Sequence, residues 1–382
     1  MTRSREDESG DFGEMFEPPR HRVPVAVAVG GIIAGVLLAG IAVAATIISS
    51  DGDEEKDSEP AAGTGRSTTT LGFAAGTTTT VDPTLGMPAE IVALKSDGRL
   101  VVLSSSDGSL VRVLASIEIG DTPPSSLSLT PDRKFVYLDR RQPGSDVNQA
   151  AGVTEIARVP LAGGPVTQVA DGASPHVSPD GRRLAYGIDT DPAHPCTLDS
   201  LKVRDLATGK ERSWQIPQQP EATPSCLGSI SWGPDSRRLA FTTAWEGEQI
   251  HIFDTETKGS ALEGDTPETG RDCVWWERPV YQGTTGALAV VEYFCDESEE
   301  FAYGRPDRFK LIEPDTGAKA GNAPRLDPKR VSSLSFDRSG QHLLYRQIPG
   351  PSPDDAPRVA TLFRLQGDKP VELAGDILLA TW

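Results

Sequence analysis

The sequence predicts an all-β fold in which one short unit recurs. The unit consists of an alternating run of polar and apolar residues, a turn with Pro-Asp at its tip, and a second apolar run. Its clearest copy is Ser174–Tyr186, and near-copies start at Ser126, Ser229 and Ser333. The Pro-Asp pairs recur about every 50 residues, which is a spacing typical of β-propeller blades. With 38 Gly and 31 Pro in 382 residues, the chain is also rich in residues that end strands and form turns.

The region ahead of these repeats divides into a tail, a membrane span and a stalk. Residues 1–22 are polar and carry both charge signs, which is typical of a disordered tail. Residues 23–48 contain no charged residue and are long enough to cross a bilayer as one helix. Residues 49–87 are acidic and then rich in Gly, Thr and Ala, as in flexible stalks. The sequence therefore predicts one transmembrane helix followed by a folded domain at 88–382.

Charges on either side of the apolar segment predict its orientation. Arg20 and Arg22 precede it, whereas acidic residues follow it between Asp51 and Glu59. Because positive charge favours the cytoplasmic side, we expect a cytoplasmic amino end and an extracytoplasmic folded domain at the cell membrane. Ala42-Val43-Ala44 also fits a cleavage site, so a cleaved signal peptide is the alternative to a retained signal anchor. Small residues that could join two copies of the helix are Gly31, Gly35 and Ala39.

Strand-like runs and turns follow one another to the end of the chain. The first predicted blade takes 89–120, where only three strands stand before the first Pro-Asp unit. The segment 376–382 resembles the strand that precedes each Pro-Asp turn, and we expect it to complete this blade and close the ring. The fifth blade lacks a Pro-Asp turn, so five blades are the alternative to six. The other blades are predicted at 121–170, 171–222, 223–266, 267–327 and 328–375.

The repeat also resembles that of a known family. The run Ser-Pro-Asp-Gly-Arg-Arg-Leu-Ala at 178–185, with relatives at 130–138 and 233–241, resembles the WD40-like repeat of TolB-type six-bladed propellers. The whole chain is similar to uncharacterised actinobacterial membrane-anchored propellers. The resemblance implies the fold but not the activity, because the module also occurs in oligopeptidase relatives, sensor ectodomains and envelope scaffolds. A retained anchor and the lack of TolB's separate α/β domain mean that TolB's lipoprotein partner is not carried over.

Composition and motifs argue against several classes of function. The net charge of −18 and the pI near 4.7 argue against nucleic-acid binding, which needs a basic surface. The sequence has no G-x-S-x-G nucleophile elbow. The Asp of each Pro-Asp pair is expected to accept bonds from turn amides, which is a structural role. We therefore predict no catalytic residue, no metal ligand and no cofactor.

The lengths of the connections indicate one functional face. Connections between first and second strands are tight, whereas those between second and third strands are long at 139–152, 189–200, 296–307 and 347–357. Alternate connections in a propeller fall on opposite faces, so the long loops share one face, here called the long-loop face. Loops on a rigid scaffold often carry function. The candidate partner-binding residues on this face are Asp189, Asp191, His194, Asp296, Glu297, Glu299, Glu300, Phe301, Tyr303, Asp354 and Asp355.

Carboxylates interleaved with aromatic residues suit a basic, partly apolar partner. Solvated loop charge, with the aromatic side chains tucked into the loops, is the alternative interpretation of the same residues.

Cysteine and tryptophan residues add two further predictions. Of three possible disulfide pairings, Cys196–Cys226 and Cys273–Cys295 join neighbours on the long-loop face and would fix its loops. Trp275 and Trp276 are candidates for the rim of the axial channel, and we expect the two to divide between blade core and rim.

Taken together, these patterns predict a membrane-anchored extracytoplasmic β-propeller that binds a protein or cell-envelope ligand without catalysis. One alternative is an enzyme that uses the axial channel, such as a metal-dependent hydrolase or lactonase. Another is a sensor ectodomain, although a tail of residues 1–22 is too short for a kinase.

Overall fold

The computed structural model describes residues 86–119, 123–142, 154–190, 198–217, 226–244, 249–268, 274–294, 305–328, 331–348, 359–366 and 368–382. All of them belong to one compact unit, Thr77–Trp382. In this part of the chain, no helix is long and apolar enough to cross a membrane. The predicted tail, the predicted membrane helix with its stripe of small residues, and all of the predicted stalk except its last two residues lie outside the described residues.

Regular structure in the described residues consists of strands and one 3-10 turn, Gly283–Thr285. The strands are β1 (Glu90–Lys95), β2 (Arg99–Ser104), β3 (Leu110–Ser116), β4 (Leu127–Leu129), β5 (Phe135–Arg141), β6 (Thr154–Pro160), β7 (Thr167–Asp171), β8 (Ala173–Val177), β9 (Arg183–Ile188), β10 (Ser200–Asp205), β11 (Glu211–Gln215), β12 (Cys226–Trp232), β13 (Arg238–Ala244), β14 (Gln249–Asp254), β15 (Val274–Tyr281), β16 (Leu288–Phe294), β17 (Arg305–Ile312), β18 (Val331–Phe336), β19 (Leu343–Gln347), β20 (Ala360–Gln366) and β21 (Lys369–Thr381). The all-β class predicted from the sequence is confirmed.

These strands form antiparallel sheets in which, apart from the pair β21 and β1, neighbours in sequence are neighbours in space. Two sheets have four strands, β4 to β7 and β8 to β11, and two have three, β12 to β14 and β15 to β17. A seven-stranded sheet has the order β18-β19-β20-β21-β1-β2-β3. Each sheet is thus a meander, as in the blades of a propeller.

The long strand β21 belongs to both halves of the seven-stranded sheet. Its first part pairs with β20, for example Leu365 with Pro370, and its last part pairs with β1, for example Val92 with Thr381. Asp376, with φ of 59°, lies where the strand passes from one partner to the other. The expectation that the last segment of the chain lies beside β1 is therefore confirmed.

The innermost strands of successive sheets contact one another in cyclic order, β21-β4-β8-β12-β15-β18 and back to β21. Ser126 Oγ donates to the Pro175 carbonyl (3.0 Å), and two residues further along both strands Ser128 Oγ accepts from Val177 N (2.8 Å). Because the contacts advance together along β4 and β8, these two strands run in the same direction. Radially arranged meanders around such a ring are the architecture of a β-propeller.

The serines of the alternating runs join neighbouring strands. Ser128 Oγ accepts a bond from Val177 N, and Ser231 Oγ accepts the equivalent bond from Tyr281 N (3.0 Å). Ser128 and Ser231 occupy the same position in their repeats, and Val177 and Tyr281 both lie three residues after a residue with positive φ, Ser174 and Arg278, so the two bonds are equivalent. The polar residues of the repeat therefore hold one blade to the next.

Two tryptophans make a second copied contact between blades. Trp232 Nε1 donates to the carbonyl of His176 (2.8 Å), and Trp382 Nε1 donates to the carbonyl of Ser335 (3.1 Å). Trp382 thus stands to β18 as Trp232 stands to β8, which places the last part of β21 among the innermost strands. Burial also lowers the pKa of His176 to about 4, so its imidazole is neutral at physiological pH.

The Pro-Asp turns have the predicted structural role. Asp180 Oδ1 accepts from Arg182 N (3.0 Å), and Ser178 Oγ donates to the same oxygen (2.6 Å). Gly181 follows with φ of 74°, and Ser236 takes the same left-handed conformation at its turn without being glycine. The Asp carboxylates are therefore occupied by their own turns.

The core lies between neighbouring sheets. Second strands are the most buried, and a cluster of Tyr137, Ile156, Leu184 and Tyr186 fills the space between the β5 and β9 sheets. Burying apolar area stabilises by about 25 cal/mol per Å². Neighbouring sheets are therefore held together in two ways. Apolar packing joins their second strands, and the repeated hydrogen bonds join their innermost strands.

Candidate functional site

Most of the candidate partner-binding residues lie outside the described residues. Asp189 is described: it is exposed and follows the end of β9. The remaining predicted residues are outside, namely Asp191, His194, Asp296, Glu297, Glu299, Glu300, Phe301, Tyr303, Asp354 and Asp355. What the structure does describe is the base from which these loops depart.

Strand bounds bear out the difference in connection lengths. The connections between innermost and second strands are short, whereas those between second and third strands are mostly long. Since the repeats copy one another around the ring, the second strands all end on the same side. The connections that leave this side are 142–153, 189–199, 245–248, 295–304 and 348–359.

A buried ion pair lies at the base of the first of these loops. Arg140 on β5 and Glu155 on β6 are directly paired in register, and Arg140 Nε and Nη2 lie 2.8 and 2.7 Å from Glu155 Oε1. Glu155 is only 2% exposed. Charge-assisted bonds in such a site hold the two strand ends at a fixed separation.

At two further loop bases the hydrogen bonds are between neutral groups or between a carboxylate and neutral donors. Asp199 is buried and accepts from Thr190 N (3.1 Å) and Thr190 Oγ1 (2.6 Å), across the ends of the β9–β10 connection. Gln215 Nε2 donates to the same hydroxyl (3.2 Å). The short β13–β14 connection has Thr243 Oγ1 3.0 Å from His251 Nε2.

The base of the β16–β17 loop contains the most connected carboxylate. Glu292, 1% exposed, accepts from Arg308 Nε (3.0 Å) and Trp276 Nε1 (3.2 Å) and is ion-paired with Lys310. Burial by itself raises the pKa of Glu292, but the bonds from Lys310, Trp276 and Arg308 outweigh it and hold the pKa below its usual range.

Trp276 is buried in the blade core, which is compatible with the expectation that the two tryptophans divide between core and rim. Its ring packs with Ile250, Leu288 and Val290, and its indole N–H is satisfied inside the core by Glu292. The side chain of Trp275 lies outside what the structure describes, so its place at the rim remains a prediction.

The base of the β19–β20 loop is built differently. Arg346, 9% exposed, donates from Nε to Ser333 Oγ (2.9 Å) and from Nη2 to Ser332 Oγ (3.1 Å), and no carboxylate pairs with it in the described residues. Burial lowers the pKa of Arg346 to about 10, which still leaves it charged at neutral pH. Nearby, Arg278 Nη1 donates to the carbonyl of Val331 (2.9 Å).

Asp139 lies near the end of β5, on the side from which the long loops leave. It is 4% exposed and accepts from the backbone N–H groups of Ser125 and Ser126 and from Ser125 Oγ, all within 3.0 Å. Burial raises the pKa of Asp139 although these bonds oppose the change. The carboxyl group fixes the start of β4 and is not available to a ligand.

The opposite side of the ring contains a cavity of about 430 Å³. Two Pro-Asp turns line it through Pro131 and Pro179, together with Tyr137, Arg158 and Arg338. The guanidinium carbon of Arg158 lies 4.7 Å from the centre of the Phe135 ring. Among the described residues, no group of three or more His, Cys, Asp or Glu side chains is arranged to hold a metal ion.

Of the four cysteines, Cys226 at the start of β12 is described, and it is disulfide-bonded. Cys196, Cys273 and Cys295 lie outside the described residues, so the predicted pairing remains a prediction.

Comparison with known proteins places the chain beside β-propeller structures. TolB from Acinetobacter baumannii is 16% identical with a TM-score of 0.49, and the match covers 77% of this chain and 65% of that one. The chain thus spans about two thirds of the length of that TolB. No protein-family model matches the sequence, and neither does any curated protein.

Two further similar structures differ in what their descriptions say. A puromycin-hydrolyzing peptidase of Mycobacterium tuberculosis is 18% identical with a TM-score of 0.44, over 73% of this chain and 42% of that one. The β-propeller domain of the Trilobed protease from Pyrococcus furiosus is 16% identical with a TM-score of 0.39, over 65% and 71%. These similarities concern the fold alone.

Sequence reasoning missed the buried charges at the loop bases. Arg346 lies within Leu-Leu-Tyr-Arg-Gln, and Glu292 within Leu-Ala-Val-Val-Glu-Tyr-Phe. Charged residues embedded in the apolar run of a second strand are a signal that could have found both. Asp139 in Phe-Val-Tyr-Leu-Asp follows the same pattern.

Proposed function

We propose that the chain is a single-pass membrane protein whose extracytoplasmic six-bladed β-propeller binds a protein or cell-envelope ligand through its long-loop face, without catalysis. The number six is supported by the cyclic contacts of six innermost strands, with the last part of β21 as one of them. The anchor and its orientation are supported by the uncharged run at 23–48 and by the charges on either side of it.

The observation that carries the proposal is the construction of the loop bases. Arg140–Glu155, Thr190–Asp199 and Glu292–Arg308 are polar contacts across strand ends that each flank a long connection. Buried polar groups stabilise less than apolar packing of the same volume, so their repeated use on one side favours a role in positioning. Loops held at fixed bases lose less conformational entropy when a partner binds.

Loop composition supports a partner of particular chemistry. Residues 296–303 contain Asp296, Glu297, Glu299 and Glu300 followed by Phe301 and Tyr303. Acidic groups steer a basic partner and aromatic groups supply buried anchor area. The proposed partner therefore presents basic and apolar groups together.

Charge reversal tests the face directly. We expect the triple change Glu297→Lys, Glu299→Lys and Glu300→Lys to reduce partner recovery at least about tenfold in crosslinking pull-downs from native membranes, because opposed charges become like charges. The matched control has the same charge change on exposed residues that form no ion pair with another described residue. The control variant changes Glu263, Asp368 and Glu372 to Lys.

If both charge-reversal variants recover the partner equally, the partner does not bind through the long-loop face. A metal ion bound in stoichiometric amount to the purified full-length chain would instead favour the channel enzyme. Protease added outside intact cells should degrade the propeller, and protection of the propeller would contradict the proposed orientation.

A further inference from the structure

Two arginines meet on one short stretch of the innermost strand β18. Arg278 Nη1 donates to the Val331 carbonyl, whereas Arg346 donates to the hydroxyls of Ser332 and Ser333. The stretch is the beginning of β18, on the side from which the long loops leave. Two guanidinium groups from neighbouring sheets are thus held at three consecutive residues.

Among the described residues, neither guanidinium group has a carboxylate partner. No described carboxylate forms an ion pair with Arg278 or Arg346, although the chain has 55 acidic and 37 basic residues. At other loop bases on this side arginines do have such partners, as Arg140 has Glu155 and Arg308 has Glu292. A buried charge such as that of Arg346 is unfavourable without an opposite charge, and none of the described carboxylates supplies one.

The backbone also holds Arg278 in an unfavourable conformation. Its φ is 53°, in the left-handed region that costs a non-glycine residue free energy. Ser174 has the same conformation (φ 54°) at the equivalent place in β8, where its hydroxyl lies 2.8 Å from Ser125 Oγ. At Arg278 the conformation instead presents a guanidinium group beside Val331.

We propose that Arg278 and Arg346, with the hydroxyls of Ser332 and Ser333, form a binding site for the oxyanion group of a ligand, a carboxylate or a phosphate. A guanidinium group is a planar fork whose N–H donors match both kinds of oxyanion. Bound anion would supply the charge that the described carboxylates do not. The proposed site uses none of the candidate partner-binding residues, so its failure leaves the proposed partner face untouched.

Burial of an arginine is not sufficient by itself, as Arg364 shows. It is 7% exposed, and among the described residues it donates to the Ser106 carbonyl (3.4 Å) while its Nε finds no partner. Its bond is to the connection between β2 and β3, where no described arginine shares the same acceptor. Arg364 is therefore the matched control for the pair at β18.

The test measures thermal unfolding of the full-length chain while inorganic phosphate or acetate is titrated at constant ionic strength. A ligand that binds only the folded state raises the midpoint in a saturable way. We expect such a rise for the wild type, and apparent affinities lowered at least about tenfold in Arg278→Gln and in Arg346→Met, since each loses charge-assisted bonds to the anion. Arg364→Gln should keep the wild-type affinity within about twofold.

The two probes distinguish the source of the oxyanion. Tighter binding of phosphate indicates a phosphorylated ligand, and tighter binding of acetate indicates the carboxylate of a peptide or other acid. Absence of a saturable rise with either probe would overturn the proposal. So would an unchanged response in Arg278→Gln, whose partly exposed side chain can be replaced without opening the core.

Discussion

The bases of the β16–β17 and β19–β20 loops show two ways of placing a charge inside the same fold. At the first, Glu292 is ion-paired with Lys310 and Arg308 and accepts a hydrogen bond from Trp276. At the second, Arg346 is nearly as buried, and among the described residues it donates to two serine hydroxyls and to no carboxylate. We expect the first arrangement to serve stability and the second to serve the proposed ligand site.

The largest loss of stability is expected at Glu292, whose buried charge has two ion-pair partners. Glu292→Gln should lower the free energy of unfolding by about 2–3 kcal/mol, because a buried acceptor of charge-assisted bonds is lost. Urea unfolding of the full-length chain measures the change. The exposed residue Glu372 provides the control, since Glu372→Gln should change stability by less than about 0.5 kcal/mol. Similar free energies of unfolding for the two variants would show that the contacts of Glu292 do not stabilise the fold.

Acid should reduce the difference between wild type and Glu292→Gln. The folded-state pKa of Glu292 is depressed, so its contribution is present above the unfolded value of about 4.3 and is lost as pH falls through the folded pKa. Wild-type stability should therefore fall more steeply than that of Glu292→Gln between about pH 5 and pH 3. Parallel stability curves over this range would show that the carboxylate is not held by its basic neighbours.

A loop base with a single acidic residue should show an intermediate effect. Asp199→Ala removes the acceptor of both Thr190 bonds, and we expect a loss of about 1–2 kcal/mol. Limited proteolysis should also cleave the β9–β10 connection faster. A loss of stability without faster cleavage would show that Asp199 does not position the loop.

The smallest change in stability is expected at Arg346. Arg346→Met in the absence of ligand should leave the free energy of unfolding within about 1 kcal/mol of wild type, because an apolar side chain replaces a buried charge that no described carboxylate pairs with. Chemical unfolding in a phosphate-free buffer makes the comparison. A loss as large as that of Glu292→Gln would make Arg346 a structural residue like Glu292.

The order and type of the strands could be predicted because their signals are local. Alternation in runs such as 126–129, together with Pro-Asp at 131–132, defines a strand and its turn within a few residues. The pairing of 376–382 with β1 was predictable because that segment copies the strand before each turn. Its Trp382 even reproduces the contact made by Trp232.

The contacts that hold charges depend on residues far apart in the chain, and the sequence did not show them. Arg278 reaches Val331, and Trp276 reaches Glu292, across turns whose geometry no short pattern encodes. The sequence predicts that Trp275 and Trp276 divide between core and rim, but it does not show which of the two is buried. The partner-binding loops, predicted from length and charge, remain predictions.

The sharing of β21 between two halves of one sheet has a consequence for the order of assembly. Val92 and Thr381 pair although almost the whole propeller separates them, so β1 emerges from the ribosome long before its inner neighbour exists. Pairing across such a distance is slow, and an unpaired edge strand invites aggregation and proteolysis. Every chain that ends before β21 would leave the inner edge of β1 unpaired. Proteases that degrade incomplete chains could recognise this exposed edge.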